Sequence, residues 1–211
     1  MKRTAFPHLV LASRSPRRQA LLASLGLTFT VDAADVDETP AAGEAPEALV
    51  CRLCRAKAQV VAARHPAAVV LAADTIVVLD GEVLGKPADA AEATAMLAAL
   101  RGRTHIVYTA LALAWNGELR TELSTSFVTM RSYTDAEIAA YVATGDPLDK
   151  AGAYAIQHPQ FAPVAAWQGC YASVMGLPLR LTRDLLAAVG ISVPADPAAA
   201  CSGVIGEKCR C

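Results

Sequence analysis

Ala68-Val69-Val70-Leu71-Ala72-Ala73-Asp74-Thr75-Ile76-Val77-Val78-Leu79-Asp80-Gly81-Glu82-Val83-Leu84-Gly85-Lys86-Pro87 is the segment that decides the fold. Its first six residues are a continuous apolar run, the pattern of a strand buried on both faces. The run delivers a carboxylate and a hydroxyl, Asp74-Thr75, at its end, where open α/β sheets place ligand chemistry. Ile76–Leu79 and Glu82–Leu84 flank Asp80-Gly81, a pair that favours a two-residue hairpin because both turn positions need positive φ. Gly85-Lys86-Pro87 is not a Walker phosphate loop: Gly81 to Gly85 is one residue short, and Pro87 replaces the magnesium-binding hydroxyl. Lys86 can still reach a phosphate.

Working outward, His8–Ser13 reads as a buried strand that turns at Ser13-Arg14-Ser15-Pro16. Pro16 suits the first position of a helix with Ser15 as its cap, and Leu21, Leu22 and Leu25 form its apolar stripe before Gly26 stops it. Thr28–Ala33 is a second strand, and a long helix over Pro46–Arg64 precedes the deciding segment. Downstream, Asp89–Leu100 is a helix, and His105–Trp115 and Leu119–Met130 are strands around a second hairpin pair, Asn116-Gly117. Thr134 and Glu137 make a capping box for a helix that ends at Gly145-Asp146-Pro147. Residues 151–171 are irregular with one or two short strands, Gly176–Val189 is a closing helix, and an Ala/Pro tail begins at Pro194. The expected class is α/β, a mixed twisted sheet with flanking helices and two lobes around a deep cleft. One domain spans 1–194, followed by a tail over 195–211.

The 211 residues are 54% hydrophobic and 18% charged, enough apolar material for a large core and too much for wholesale disorder. A net charge of −1 gives no reason to expect a nucleic-acid or membrane partner. The apolar run Leu9–Ala12 is too short for a signal peptide and meets Arg14, Arg17 and Arg18, so the expected location is the cytoplasm. Of the six cysteines, Cys51 and Cys54 fall one helical turn apart and read as buried or half-buried thiols rather than a zinc knuckle. The C-terminal cysteines Cys201, Cys209 and Cys211 leave metal binding or cross-linking open. The four histidines are scattered, with no H-E-x-x-H, and no G-x-S-x-G or G-x-G-x-x-G is present.

Four clusters remain as candidate chemistry. Ser13-Arg14-Ser15-Pro16-Arg17-Arg18 joins a strand end, hydroxyls, a helix N-terminus and arginines, which is the make-up of an anion site. A solvated basic turn would contain the same residues, although arginines at a helix start oppose the dipole. Asp74-Thr75 and Lys86 come from the deciding segment. Asp146 to Gln157 holds two further carboxylates, Lys150 and a run of small residues, the composition of a pocket wall. Glu38, in an acidic loop, and Lys57, on the long helix, are weaker candidates because such side chains usually face solvent.

In order along the chain these clusters resemble the Maf family of nucleotide pyrophosphatases. The matching stretches are Ser13-Arg14-Ser15-Pro16-Arg17-Arg18, Val36-Asp37-Glu38, Arg55-Ala56-Lys57-Ala58, Ala73-Asp74-Thr75, Gly85-Lys86-Pro87, Gly102-Arg103-Thr104-His105, Asp149 to Tyr154, and Gly176-Leu177-Pro178-Leu179. The resemblance implies a nucleoside triphosphate substrate cut to monophosphate and pyrophosphate, a divalent metal, and a protein that is often dimeric. Arg17-Arg18, Asp74-Thr75 and Gln157 match most closely the subgroup that acts on dTTP and UTP. On that basis Asp74 is the expected general base, and Glu38 with Asp74 would hold magnesium or manganese. Ser13, Arg18, Lys57 and Lys86 would bind phosphates, while Arg17, Thr75 and Gln157 would contact the base. A rival expectation is a nucleotide-binding regulator of cell division without turnover.

Overall fold

A computed structural model describes residues 8–205 of the chain. Among these residues seven strands form one mixed sheet in the order β2-β1-β3-β5-β6-β7, with β4 paired to β3 off that path. The strands are β1 (Leu9–Leu11), β2 (Thr30–Val31), β3 (Val69–Leu79), β4 (Glu82–Leu84), β5 (Thr104–Trp115), β6 (Glu118–Met130) and β7 (Val164–Gln168). The helices are α1 (Pro16–Ser24), α2 (Pro46–Arg64), α3 (Ala90–Leu100), α4 (Asp135–Val142), α5 (Tyr171–Val174), α6 (Leu179–Ala187) and α7 (Pro197–Ile205). Pairings of β1 with β2 and with β3 are parallel; all others are antiparallel.

The expectation that a strand ends at Ala73 is corrected. β3 runs unbroken through Asp74-Thr75, because β5 pairs it continuously from Val70↔Ala114 to Val78↔Ile106. What changes at Asp74 is the other edge. There β1 covers only Val69–Leu71 and β4 covers only Val77–Leu79. Residues 72–76 therefore have a ladder partner on one side alone, and the crevice expected at a strand end opens in the middle of a strand. Both hairpins form as read, with positive φ at Asp80 and Asn116 and registers that close on Leu79↔Glu82 and Trp115↔Glu118.

Alternation along β3 divides the interior. Val70, Ala72, Ile76 and Val78 face α2 with Val50, Cys54 and Val61, forming one core. On the opposite face Val69, Leu71 and Ala73 pack with Leu111, Leu113, α1 and α6. Further along that face Val77 and Leu79 pack with Val107, α3 and α4. Thr75 and its cross-strand neighbour Thr109 lie between these two cores, so a polar seam separates the lobes.

Other expectations resolve as follows. The capping box of α4 is complete, and Asp89 caps α3 by accepting from the Glu92 amide at 2.9 Å. Pro16 is the first residue of α1, but Ser15 makes no side-chain cap bond, leaving first-turn amides to solvent or a ligand. The irregular stretch holds one strand, β7, and α6 starts at Leu179 rather than Gly176 because Pro178 sits at its cap. The Ala/Pro tail is also corrected: its described part forms α7, which buries Cys201 against the core around Leu111. Pro197 starts a helix rather than preventing one, and the alanines after it favour it. Cys209 and Cys211 lie outside the described residues.

His105 is buried, shares a 2.7 Å hydrogen bond with Tyr154 Oη, and has no partner at Nδ1. Burial lowers its pKa from 6.5 to about 4. An imidazole held neutral costs nothing above pH 6.5; below it the unfolded chain gains the proton first, so stability falls as pH drops from 6.5 towards 4. At pH 5 this one group is expected to remove about 2 kcal/mol relative to pH 7.5. Denaturant melts at both values check it, with His105→Phe expected to lose that part of the pH dependence.

Candidate functional site

Where β3 lacks its second partner, a cavity of about 800 Å³ opens. Asp74 and Thr75 point to opposite faces of the sheet, yet both reach the cavity because no strand covers the edge between them. Asp74 projects towards α2, where Lys57 Nζ lies 3.0 Å from Oδ1. The same ammonium contacts Glu38 Oε1 at 2.6 Å, so the acidic loop and the strand carboxylate converge on one cation. Burial pulls the Lys57 pKa down, but Asp74 and Glu38 outweigh it and the net shift is upward. The lysine stays charged throughout the physiological range.

Arg18 closes the other side. From the first turn of α1 it donates Nε to Gly176 O at 3.0 Å, Nη1 to Ser13 Oγ at 3.2 Å, and Nη2 to Thr75 Oγ1 at 3.1 Å. Nη2 also lies 3.9 Å from Asp74 Oδ1. Burial lowers the Arg18 pKa and the Asp74 charge works against that, while a guanidinium remains protonated in either case. Gly176 permits this packing: its φ is +114°, and a Cβ there would sit 3.1 Å from Arg18 Nε.

Around the rim, Arg17 Nη1 is 3.4 Å from Asp149 Oδ2. Lys150, although it lines the cavity, spends its donors on Asp146 O, Asp146 Oδ1 and Asp149 Oδ1, at 2.6, 2.8 and 2.6 Å. Gly152 holds this wall against the loop after β4, donating its amide to Gly85 O at 3.0 Å. Its φ of +69° and the Val77 side chain 3.0 Å from a would-be Cβ require glycine.

The Maf family model, described as Maf-like protein, matches residues 8–189. This chain belongs to the Maf family. A dTTP/UTP pyrophosphatase of Myxococcus xanthus is 56% identical over 186 residues, covering 88% of this chain and 94% of that protein. One from Thermomicrobium roseum is 53% identical, covering 88% and 85% respectively. Among solved structures, a nucleoside-triphosphatase / dITP/XTP pyrophosphatase from Mycobacterium abscessus aligns with a TM-score of 0.39 at 20% identity. That alignment covers 58% of this chain and 74% of the other, a likeness too partial to bear on function.

In this Maf protein Ser13, Arg17, Arg18, Glu38, Lys57, Asp74, Thr75, Lys86 and Gln157, nine residues drawn from six separate stretches, all line the one cavity. Of the two weakest on sequence grounds, Lys57 contacts Asp74 directly and Glu38 reaches it through the shared Lys57 ammonium. Thr109 was missed, although it is the single hydroxyl in the run Val107-Tyr108-Thr109-Ala110-Leu111 that falls on the α1 face of the sheet. Gly176, the expected helix start and part of a stretch that matches the family, anchors Arg18 through its carbonyl. Cys51 is half-buried and Cys54 fully buried, its Sγ 3.3 Å from Ala110 O; the thiol pKa is raised, chiefly by burial. These are inert packing thiols.

Among the described residues no group of three or more His, Cys, Asp or Glu side chains is placed to hold a metal ion. The donor set still fits a hard divalent cation. Magnesium is commonly held by one or two carboxylates plus the oxygens of a bound phosphate, and Glu38 and Asp74, which meet on the Lys57 ammonium, are carboxylates of that kind.

Arg18→Met is expected to lower unfolding free energy by about 2–4 kcal/mol, since three oxygens lose their donor inside the protein. Urea denaturation measures it; a cost below 1 kcal/mol would mean that the guanidinium contributes little to the packing of β1, β3 and the residues after α5.

Proposed function

We propose that this chain hydrolyses the α–β phosphoanhydride of dTTP and UTP, releasing the nucleoside monophosphate and pyrophosphate. The observation that carries the reading is a carboxylate, Asp74, set in the uncovered stretch of β3 and faced by Lys57 and Arg18 inside a cavity large enough for a nucleotide. The names of the 56% and 53% identical relatives agree with it. A non-hydrolysing division regulator would need the cations to bind a nucleotide but would have no use for a carboxylate among them.

The triphosphate enters against the basic wall. Lys57 and Lys86 neutralise its oxygens, Arg18 adds its two uncommitted N–H groups, and the uncapped first turn of α1 offers amides. Ser13, whose hydroxyl accepts from Arg18, lends its proton to a phosphate oxygen. Asp74 takes a proton from the attacking water as the water oxygen bonds to the α phosphorus; the bridging P–O bond breaks and pyrophosphate leaves with the electron pair. Bound by Glu38, Asp74 and phosphate oxygens, magnesium or manganese would supply Lewis-acid neutralisation of the triphosphate. Arg17, Thr75 and Gln157 are assigned to the base. The expected setting is the cytoplasm and the expected state a homodimer, which light scattering reads directly. No described helix is long and apolar enough to cross a membrane.

Asp74→Asn keeps the shape of the side chain and removes the base, so pyrophosphate release should fall by roughly 10²–10⁴-fold with folding intact. Wild-type turnover in that variant would sink the mechanism. Activity should vanish in excess chelator and return with magnesium or manganese, read in the same pyrophosphate assay across a nucleotide panel. Arg17→Trp should narrow or reverse a preference for dTTP over 7-methyl-GTP, because an aromatic face attracts a cationic base that a guanidinium repels. Equal loss on both substrates would place Arg17 at the phosphates.

A further inference from the structure

Hydrogen-bond arithmetic fixes the direction of the hydroxyls in the seam between the lobes. Thr109 is fully buried and its Oγ1 lies 2.8 Å from Ser173 O; a carbonyl only accepts, so Thr109 spends its one proton there. Thr75 Oγ1 is 3.0 Å from Thr109 Oγ1, and with the Thr109 proton already used, Thr75 must be the donor of that bond. Arg18 Nη2 in turn donates to Thr75 Oγ1 at 3.1 Å. The chain is ordered throughout: Arg18 to Thr75 to Thr109 to Ser173. Thr75 has no proton left for the cavity that it lines, only a lone pair.

We infer that Thr109 is a positioning residue which makes Thr75 an obligate acceptor towards the ligand, and that this selects uracil and thymine over cytosine. A phosphate oxygen is itself an acceptor at neutral pH, so a proton-less Thr75 has nothing to offer it and must address a donor. Opposite the N3 position of the base, the N3–H of uracil or thymine is such a donor, whereas N3 of cytosine carries a lone pair that would oppose the one on Thr75, and the cytosine 4-amino donor lies one ring position away. The inference rests on the pyrophosphatase reading for its choice of base, but the ordering of the hydroxyls stands on the geometry alone. It assigns a specificity role to a residue that cannot touch the substrate. Arg18 takes part because its guanidinium occupies the second lone pair of Thr75, leaving a single acceptor direction.

Thr109→Val removes the acceptor that holds the Thr75 proton, after which Thr75 can turn and donate to cytosine N3. Binding of α,β-methylene dTTP and α,β-methylene dCTP, measured by calorimetry, is expected to favour the thymine analogue in the wild type. That ratio should drop about tenfold in Thr109→Val, and Thr109→Ser, which keeps the hydroxyl, should restore it. A merely structural role would weaken both analogues together and leave the ratio unmoved, and that result, or no wild-type preference, overturns the inference. Should Thr109→Val fail to fold, Thr109→Cys retains volume and a weak sulfur acceptor, and its ratio should fall less but in the same direction. Wild-type preference without pyrophosphate release from dTTP would sink the pyrophosphatase reading and leave this inference standing. Pyrophosphate release with an unmoved ratio in the valine variant does the reverse.

Discussion

One strand with too few neighbours organises the molecule. β3 is paired along nearly its whole length by β5, yet its other edge is shared between β1 and β4, which stop short of each other. A sheet edge inside a compact protein is costly unless its backbone groups meet solvent or a ligand. The protein leaves that edge open to a cavity and places its two polar β3 side chains there. Because consecutive residues of a strand point to opposite faces, one uncovered stretch lets Asp74 work with α2 and Thr75 with α1 and α5.

Charge is distributed across that gap with little left over. Asp74 is met by Lys57 on one side and Arg18 on the other, and Lys57 is shared with Glu38 from a loop. At the rim Asp149 is shared between Arg17 and Lys150. Lys57, Arg17 and Lys150 are each paired with a carboxylate, which limits electrostatic self-repulsion in a half-buried site. An incoming triphosphate competes with carboxylates for cations already in place, so the site is preorganised rather than assembled on demand.

The sequence was legible where local chemistry determined structure. Asp80-Gly81 and Asn116-Gly117 specified their hairpins, Thr134 and Glu137 their cap, and the long apolar run its strand. Asp74-Thr75 was misplaced at a strand end because a polar pair after an apolar run looks like a boundary, whereas continuous pairing to β5 overrode that signal. α7 was hidden by two prolines that mark a helix start as readily as a break. In the site, ordered motifs located every candidate that lines the cavity, including Glu38 and Lys57, whose types argued for solvent. Thr109 escaped because a lone threonine in a strand is ordinary by composition. Its importance lies in where its single proton goes, which only the register of β3 on β5 and the position of the Ser173 carbonyl reveal.

The reach of Arg18 also bears on how the chain attains its shape. Its partners stand 5, 57 and 158 residues away, at Ser13, Thr75 and Gly176. The β1–β3 pairing likewise waits for some sixty residues of chain, but the Gly176 contact waits for most of it. During synthesis from the N-terminus, the arginine remains exposed beside Asp74 until the segment after β7 has been made and folded back. Local helices and hairpins can form early, whereas the chemically competent site is among the last parts to close, the order expected when long-range contacts carry a large loop-closure cost. A shortened chain that kept its whole sheet but ended before residue 176 would lose both the carbonyl that holds Arg18 and the helix that covers the core around Leu111, and so would have no finished site.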